Sequence, residues 1–377
     1  MSERPFDAAH AYRRSFSPED RASHPRYSAL IDELSGSDIA RQLLIEAPRE
    51  QRNPMLVLAA LHYAALEGDP ALAPLYAKIN TTPPEEFATR VRARLEGAPE
   101  LVRRQLHRKT QTNEPGRSVV LVGVLRELKT RGITDVHLID VGTSMGLNLY
   151  PDHYRINVAH SNDPTILNVE YLRDAGSAGE LARIHQRIGI DPNPLDPQVP
   201  DDVRWLEACL WPESPERIAR LHELVGQILA WPAATRLTGS ALERIDEAVS
   251  ACTPGPTPVI FHSWVAAYFS NDEQRQWRER VLEHVGRGAA WVYLEHPDYV
   301  RALTPPPDSF TSPRPGGSQV VVAQPHQGAT SWGWAHAHGR WLALRPPEDT
   351  HRHGVKACPS PFPIEPNSNS RAPSSNN

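Results

Sequence analysis

The densest group of residues able to do chemistry follows a short apolar run, residues 136–141, which leads into Gly142-Thr-Ser144-Met-Gly146-Leu-Asn148. In a doubly wound sheet, ligands sit outside the carboxyl ends of the strands, at the turn after the first one. Glycines there let backbone approach a ligand without a Cβ in the way. Asp140, Gly142, Ser144, Gly146 and Asn148 are therefore candidate ligand-binding positions, although a two-glycine turn is also common as a plain connection. Further on, Arg187-Ile-Gly-Ile-Asp191-Pro-Asn-Pro reads as a strand ending in an acidic residue. In nucleotide-binding sheets that carboxylate accepts hydrogen bonds from ribose hydroxyls. As an alternative, Asp191 is an Asx-turn residue before proline. It lies well beyond the roughly 20 residues that usually follow the glycine turn, so an insertion is expected at residues 152–180.

Other polar groups cluster at element ends. Gln111-Thr-Asn113-Glu114-Pro-Gly-Arg117 is a dense polar run just before a helix, in which Thr112 or Asn113 could simply be a cap. The guanidinium fork of Arg117 suits a carboxylate. His262 closes the apolar run 259–264; it is either a general base, since imidazole titrates near neutrality, or a buried strand-end histidine. Glu295, followed by His296, ends another run and, with Glu114, is the remaining carboxylate candidate for catalysis. His336-x-His338 lacks a cysteine or carboxylate at ligand spacing, so no metal is expected. Ser263 sits in His-Ser-Trp, not in the Gly-x-Ser-x-Gly elbow of a serine hydrolase.

These residues need a frame, and the apolar pattern supplies one. The first hundred-odd residues hold helical spacing only: Ile39, Leu43 and Leu44, then residues 55–66 after Pro54, then Phe87, Val91 and Leu95. They read as a helical cap, residues 21–117, after a disordered stretch at 1–20. A helix over 118–129 then opens an α/β domain, residues 118–345. Its strand candidates are 136–141, 188–191, 235–239, 259–264 and 290–295, and 319–323 is expected to pair with 340–344 as a hairpin. Helices between the first five imply a parallel sheet; Ser214 before Pro215 and Asp272 read as N-caps. Residues 346–377, rich in Pro, Ser and Asn, read as a disordered tail.

Composition excludes several classes. Forty basic against forty-five acidic residues give a net charge of −5, with no basic patch for nucleic acid. Cys209, Cys252 and Cys358 are odd in number and lack paired spacing, which fits a reducing compartment. The polar N-terminus resembles no signal peptide, and no apolar run nears the about 20 residues that a membrane helix needs. A cytoplasmic protein acting on a small molecule is expected, with neither nucleic acid nor membrane as partner and the oligomeric state left open.

The order Asp140-Val-Gly142-Thr-Ser144-Met-Gly146 resembles the first motif of S-adenosylmethionine-dependent methyltransferases, acidic-x-Gly-x-Gly-x-Gly, with Ser144 replacing the middle glycine. Gly189-Ile-Asp-Pro-Asn-Pro is similar to their second-strand end. Leu237-Thr-Gly239-Ser240-Ala-Leu-Glu243 resembles the turn that cradles adenine, with Ser240 where an aspartate is usual. The chain also resembles the bacterial domain-of-unknown-function 2332 family over about residues 25–345. That likeness is carried by Gln111 to Arg117, Asp140 to Asn148, Gly189 to Leu195, Trp205 to Pro212, Phe261-His-Ser-Trp264 and His338-Gly-Arg-Trp-Leu342. The resemblance implies a methyltransferase-like, Rossmann-type, seven-stranded mostly parallel sheet under an N-terminal helical cap. It implies S-adenosylmethionine as cofactor, held by Asp140, Gly142, Ser144, Gly146, Asn148, Asp191 and Ser240, with Asn113 and Arg117 at its methionine end. Methyl transfer to a small molecule is the expected reaction, with His262, Glu114 or Glu295 in catalysis. Other S-adenosylmethionine chemistry, such as cyclisation, and non-catalytic nucleotide binding remain open. A pyridine-dinucleotide oxidoreductase is disfavoured because the turn lacks G-x-G-x-x-G spacing.

Overall fold

Residues 6–158, 161–163, 166–174, 176–303 and 311–347 are described by a computed structural model of the chain. The expected tail from 348 onward, with His351, His353 and Cys358, lies outside them, as do residues 1–5. Among the described residues eleven strands form: β1 (Asp135–Val141), β2 (Arg155–Asn157), β3 (Ile166–Asn168), β4 (Glu170–Tyr171), β5 (Arg183–Asp191), β6 (Thr235–Thr238), β7 (Thr257–Ser263), β8 (Ala290–Glu295), β9 (Gly317–Gln324), β10 (Gly328–His336) and β11 (Trp341–Leu344). Nine of them make one mixed sheet in the order β4-β11-β10-β9-β8-β7-β1-β5-β6, and β2 pairs with β3 inside the expected insertion.

The five strands β6-β5-β1-β7-β8 are mutually parallel. Their near-continuous apolar runs follow from burial on both faces. Val136, Leu138 and Phe261 pack against the helices Ser118–Thr130 and Pro215–Ile228; Ile139, Val141 and Ile260 pack against Ala241–Ser250 and Asn271–Gly286. The chain leaves β1 toward β5 on one side and later returns as β7 on the other, so the strand order reverses between β1 and β7.

Beyond β8 the sheet departs from expectation. It has more than seven strands, and 319–323 does not pair with 340–344. Instead β10 lies between them, antiparallel to both β9 and β11. In Gly328-Ala-Thr-Ser-Trp-Gly-Trp-Ala-His, which small and polar residues interrupt, four residues, 332–335, are buried.

In the N-terminal part, the helix Pro54–Leu66 is buried on nearly every side, and the helices Pro25–Gly36 and Pro84–Gly97 pack around a shared core. That core includes Trp205 and Ala208 of the helix Pro200–Ala208, whose Leu206 belongs to the sheet core. Bundle and sheet therefore share a helix, and the chain through Pro346 forms one compact unit. The stretch expected to be disordered instead carries a helix, Ala8–Arg14, that buries Tyr12 completely. Two caps also differ. Ser270, with Glu273, caps the helix expected to begin at Asp272. Ser214 occupies its N-cap position but bonds His24 Nε2 at 2.9 Å rather than the helix backbone. No helix among the described residues is long and apolar enough to cross a membrane.

Candidate functional site

The carboxyl ends of β1, β5, β7 and β8 bring together most of the residues singled out in the sequence. The glycine turn is held mainly by backbone. Gly142 and Thr143 both donate to Ile190 O, at 2.8 and 3.2 Å, and Ser144 O accepts from Leu195 N at 3.2 Å. Asp191 acts as a brace: its Oδ2 accepts from Ser144 N at 2.9 Å and its Oδ1 from Asn193 N at 2.8 Å. Burial raises its pKa, and those two N–H groups oppose the rise. Oδ2 ties the β1 turn to the end of β5, and Oδ1 closes the Asx turn weighed from sequence. No α-helix follows the glycine turn; the short 3-10 turn Leu147–Leu149 stands there instead.

Gly142 has φ +74°, and a Cβ on it would lie 2.6 Å from Val265 Cγ2. The neighbour that demands glycine is thus the loop after β7. Gly142→Ala is expected to cost about 1–3 kcal/mol of stability, read as a lower urea midpoint. Retention of full stability would show that the turn relaxes freely. A ligand-binding readout alone cannot interpret a bulky residue here, because the fold itself is strained.

What the turn leaves open is a set of buried polar atoms. Asp140 Oδ2, Thr143 Oγ1 and Ser144 Oγ have no hydrogen-bond partner among the described residues, and all three residues are at most 2% exposed. Ser144 also holds a left-handed φ of 53°. Burial drives the pKa of Asp140 up to about 7, and Asp191 adds to the rise. Opposing it are the nearby Thr143 hydroxyl first and Arg117 second, although Thr143 Oγ1 makes no hydrogen bond to Asp140 Oδ2. Orphaned buried polar groups are costly, and perturbed acids cluster where ligands bind.

His262 and Glu295 do meet, but inside the core. His262 Nδ1 and Glu295 Oε1 are 2.8 Å apart, and Trp277 Nε1 donates to His262 Nε2 at 3.3 Å. Indole N–H only donates, so the imidazole proton sits on Nδ1 and is given to Glu295. Both side chains are fully buried. Both ring nitrogens of His262 are therefore engaged, which is the buried strand-end arrangement weighed from sequence. Glu295 Oε1 also accepts from Val265 N and Ala266 N, at 2.8 and 3.1 Å, pinning the loop that follows β7.

Glu114 is likewise engaged. Its Oε1 accepts from Gly116 N, and its Oε2 lies 2.9 Å from Arg217 Nη2 and 3.4 Å from His338 Nδ1. Burial pushes its pKa up, but Arg217 and His338 outweigh that and hold it far below the usual carboxylate range. Backbones touch beside it: a Cβ on Gly116 would lie 2.1 Å from His338 O, and one on Gly339 would lie 1.8 Å from Gly116 O. Only glycine fits either position, which ties the polar run to the β10–β11 turn. Asn113 accepts from Leu147 N, and Asn148 accepts from Ser118 Oγ, so both orient backbone and helix rather than standing free. Ser240 is a helix cap in a reciprocal box with Glu243, and Ser-x-x-Glu in the sequence was the signal for it.

Residues that the sequence reading passed over include Thr143, Val265, Tyr268 and Arg217. A broad recess at the other end of the sheet, lined by Lys129, Asp135, Glu180 and Arg183, gathers none of the candidates; Lys129 and Glu180 pair there at 2.7 Å.

Residues 9–343 match the family described as "uncharacterized protein conserved in bacteria (DUF2332)". The chain belongs to the DUF2332 family. That match covers the bundle, the parallel strands and the whole edge described above, so DUF2332 denotes the full helical and α/β unit rather than one part of it. No curated protein matches the chain.

Proposed function

We propose that the edge formed by β1, β5 and β7 binds S-adenosylmethionine and that the protein transfers its methyl group to a small molecule. The observation that carries this reading is the coincidence of two features at one place. The order of five parallel strands reverses between β1 and β7, which is where open α/β sheets of Rossmann type bind ligands. There, buried Asp140, Thr143 and Ser144 keep polar atoms without partners. Such atoms suit the hydroxyl and ammonium groups of the cofactor. When bound, the cofactor supplies a methyl group activated on a sulfonium. The protein's part is then alignment and exclusion of water: Asp191 fixes the glycine turn, Glu295 fixes the β7 loop, and Asp140 is the acid nearest neutrality, able to hold or release a proton. Direct contact falls to Ser144 and Asp140, because Asp191 and Ser240 are used within the fold.

Calorimetry with S-adenosylhomocysteine is expected to show micromolar-range binding, with a rise in melting temperature by mass action. Ser144→Gly, which keeps the left-handed backbone and removes the hydroxyl, is expected to weaken that binding without loss of stability. Absence of any thermal shift at millimolar ligand in folded protein would sink the reading. The enclosure of His262 and Glu295 favours one alternative, a protein that binds the ligand without catalysing transfer; turnover of labelled methyl groups separates the two.

A further inference from the structure

Arg117 is a buried cation without a carboxylate. Only 6% of it is exposed. Its Nε donates to Ala337 O at 3.0 Å, and its Nη1 to Ser263 O at 3.2 Å and Ser263 Oγ at 3.4 Å. All three acceptors are neutral, and Nη2 has no partner among the described residues. The two acids whose fields reach Arg117 are Glu114 and Glu295. Glu114 is committed to Arg217 and Gly116; Glu295 spends Oε1 on His262 and the loop after β7, and its buried Oε2 makes no hydrogen bond to Arg117 or to any other described residue. Arg187, equally buried, has a two-oxygen partner in Asp152 at 2.9 and 2.6 Å. A guanidinium cannot shed its proton, and a buried charge without a partner costs several kcal/mol. An anion from outside the chain would complete it.

The loop beside it gives an independent sign. Trp264 follows Ser263 with a left-handed φ of 56°, and its buried Nε1 has no acceptor among the described residues. Strain of this kind in a bulky residue persists where the surroundings enforce it, commonly at ligand sites. Four residues on, in the same loop, Tyr268 presents an exposed ring, 69% open to water. Arg117 is held over β7 and the β10–β11 turn, whereas the glycine turn is held by Asn113, Asp191 and Leu195 on the opposite side.

We propose that the site where Arg117 meets the Ser263–Trp264 turn binds the carboxylate of a small organic acid, the methyl acceptor, with Arg117 Nη2 and the Trp264 indole N–H as donors. This assignment rests on the reading of the β1–β7 edge as the ligand crevice, and it takes Arg117 away from the methionine end of the cofactor. Benzoate and its uncharged analogue benzamide are the probes, followed by thermal shift and tryptophan fluorescence on the full chain. Benzoate at millimolar concentration is expected to stabilise the protein and benzamide is not. Arg117→Gln is expected to abolish the benzoate response. Should that variant fail to fold, Trp264→Phe keeps a ring and removes one donor, and it is expected to weaken benzoate about 2- to 10-fold. Equal responses to benzoate and benzamide, or no response to either, overturn the proposal. Competition between benzoate and S-adenosylhomocysteine also overturns it, because the carboxylate site would then belong to the cofactor. Benzoate binding without S-adenosylhomocysteine binding upholds the acid site and removes the methyltransferase reading instead.

Discussion

Glu295→Ala is expected to destabilise the protein by about 3–5 kcal/mol, because it removes a buried carboxylate that accepts three hydrogen bonds. Three donors lose their acceptor at once: the buried His262 Nδ1 and Ala266 N, and the half-buried Val265 N. Each orphaned donor carries a desolvation penalty of roughly 1–3 kcal/mol, and water cannot relieve it because both side chains are fully buried. Glu295→Gln keeps an acceptor oxygen and is expected to recover much of the loss. His262→Asn is expected to be milder, about 1–3 kcal/mol, with ligand affinity unchanged. Urea unfolding followed by circular dichroism reads all three. A Glu295→Ala protein within 1 kcal/mol of wild type would show that the loop after β7 holds itself. If His262→Asn kept its stability but lost turnover, histidine would return as a base.

Asp140→Asn is expected to act in the opposite direction and stabilise the ligand-free protein at pH 8. The Asp140 pKa rises from 3.8 to about 7 on folding. The folded state therefore binds the proton more tightly than the unfolded chain does. Stability from this group is fully present below pH 3.8, falls as pH rises toward 7, and is flat above that. At 1.36 kcal/mol per pH unit the ionised form costs up to about 4 kcal/mol, so asparagine is expected to gain about 2–4 kcal/mol at pH 8 and little at pH 4. The same variant is expected to bind S-adenosylhomocysteine more weakly, the exchange of stability for function common at binding sites. Melting temperatures of both proteins from pH 4 to 8 check the sign. Parallel curves would mean that Asp140 is solvated or partnered in solution.

Residues 136–141, 259–264 and 290–295 were legible as strands because they are covered on both faces, so burial wrote a continuous apolar run into each. The change at 117–118 from helical spacing to strands alternating with helices placed the sheet, and the glycine turn after residue 141 placed the candidate edge. Strand β10 was not legible, since its burial comes from β9 and β11 rather than from its own composition. Nor was the role of Gly142, whose need for glycine comes from Val265, far along the chain.

By itself, then, the sequence determined the mixed α/β class, the parallel strands and the group of residues gathered at their carboxyl ends, because local pattern encodes strand, turn and helix. Only the tertiary structure decided which of those groups are spent and which are open. His262 and Asp140 look equally available as letters. The first is sealed by Trp277 and by Glu295 on the neighbouring strand, whereas Asp140 keeps an oxygen with nothing to bond. Partnership of a buried polar group is set by what packs across from it, and those neighbours are distant in sequence.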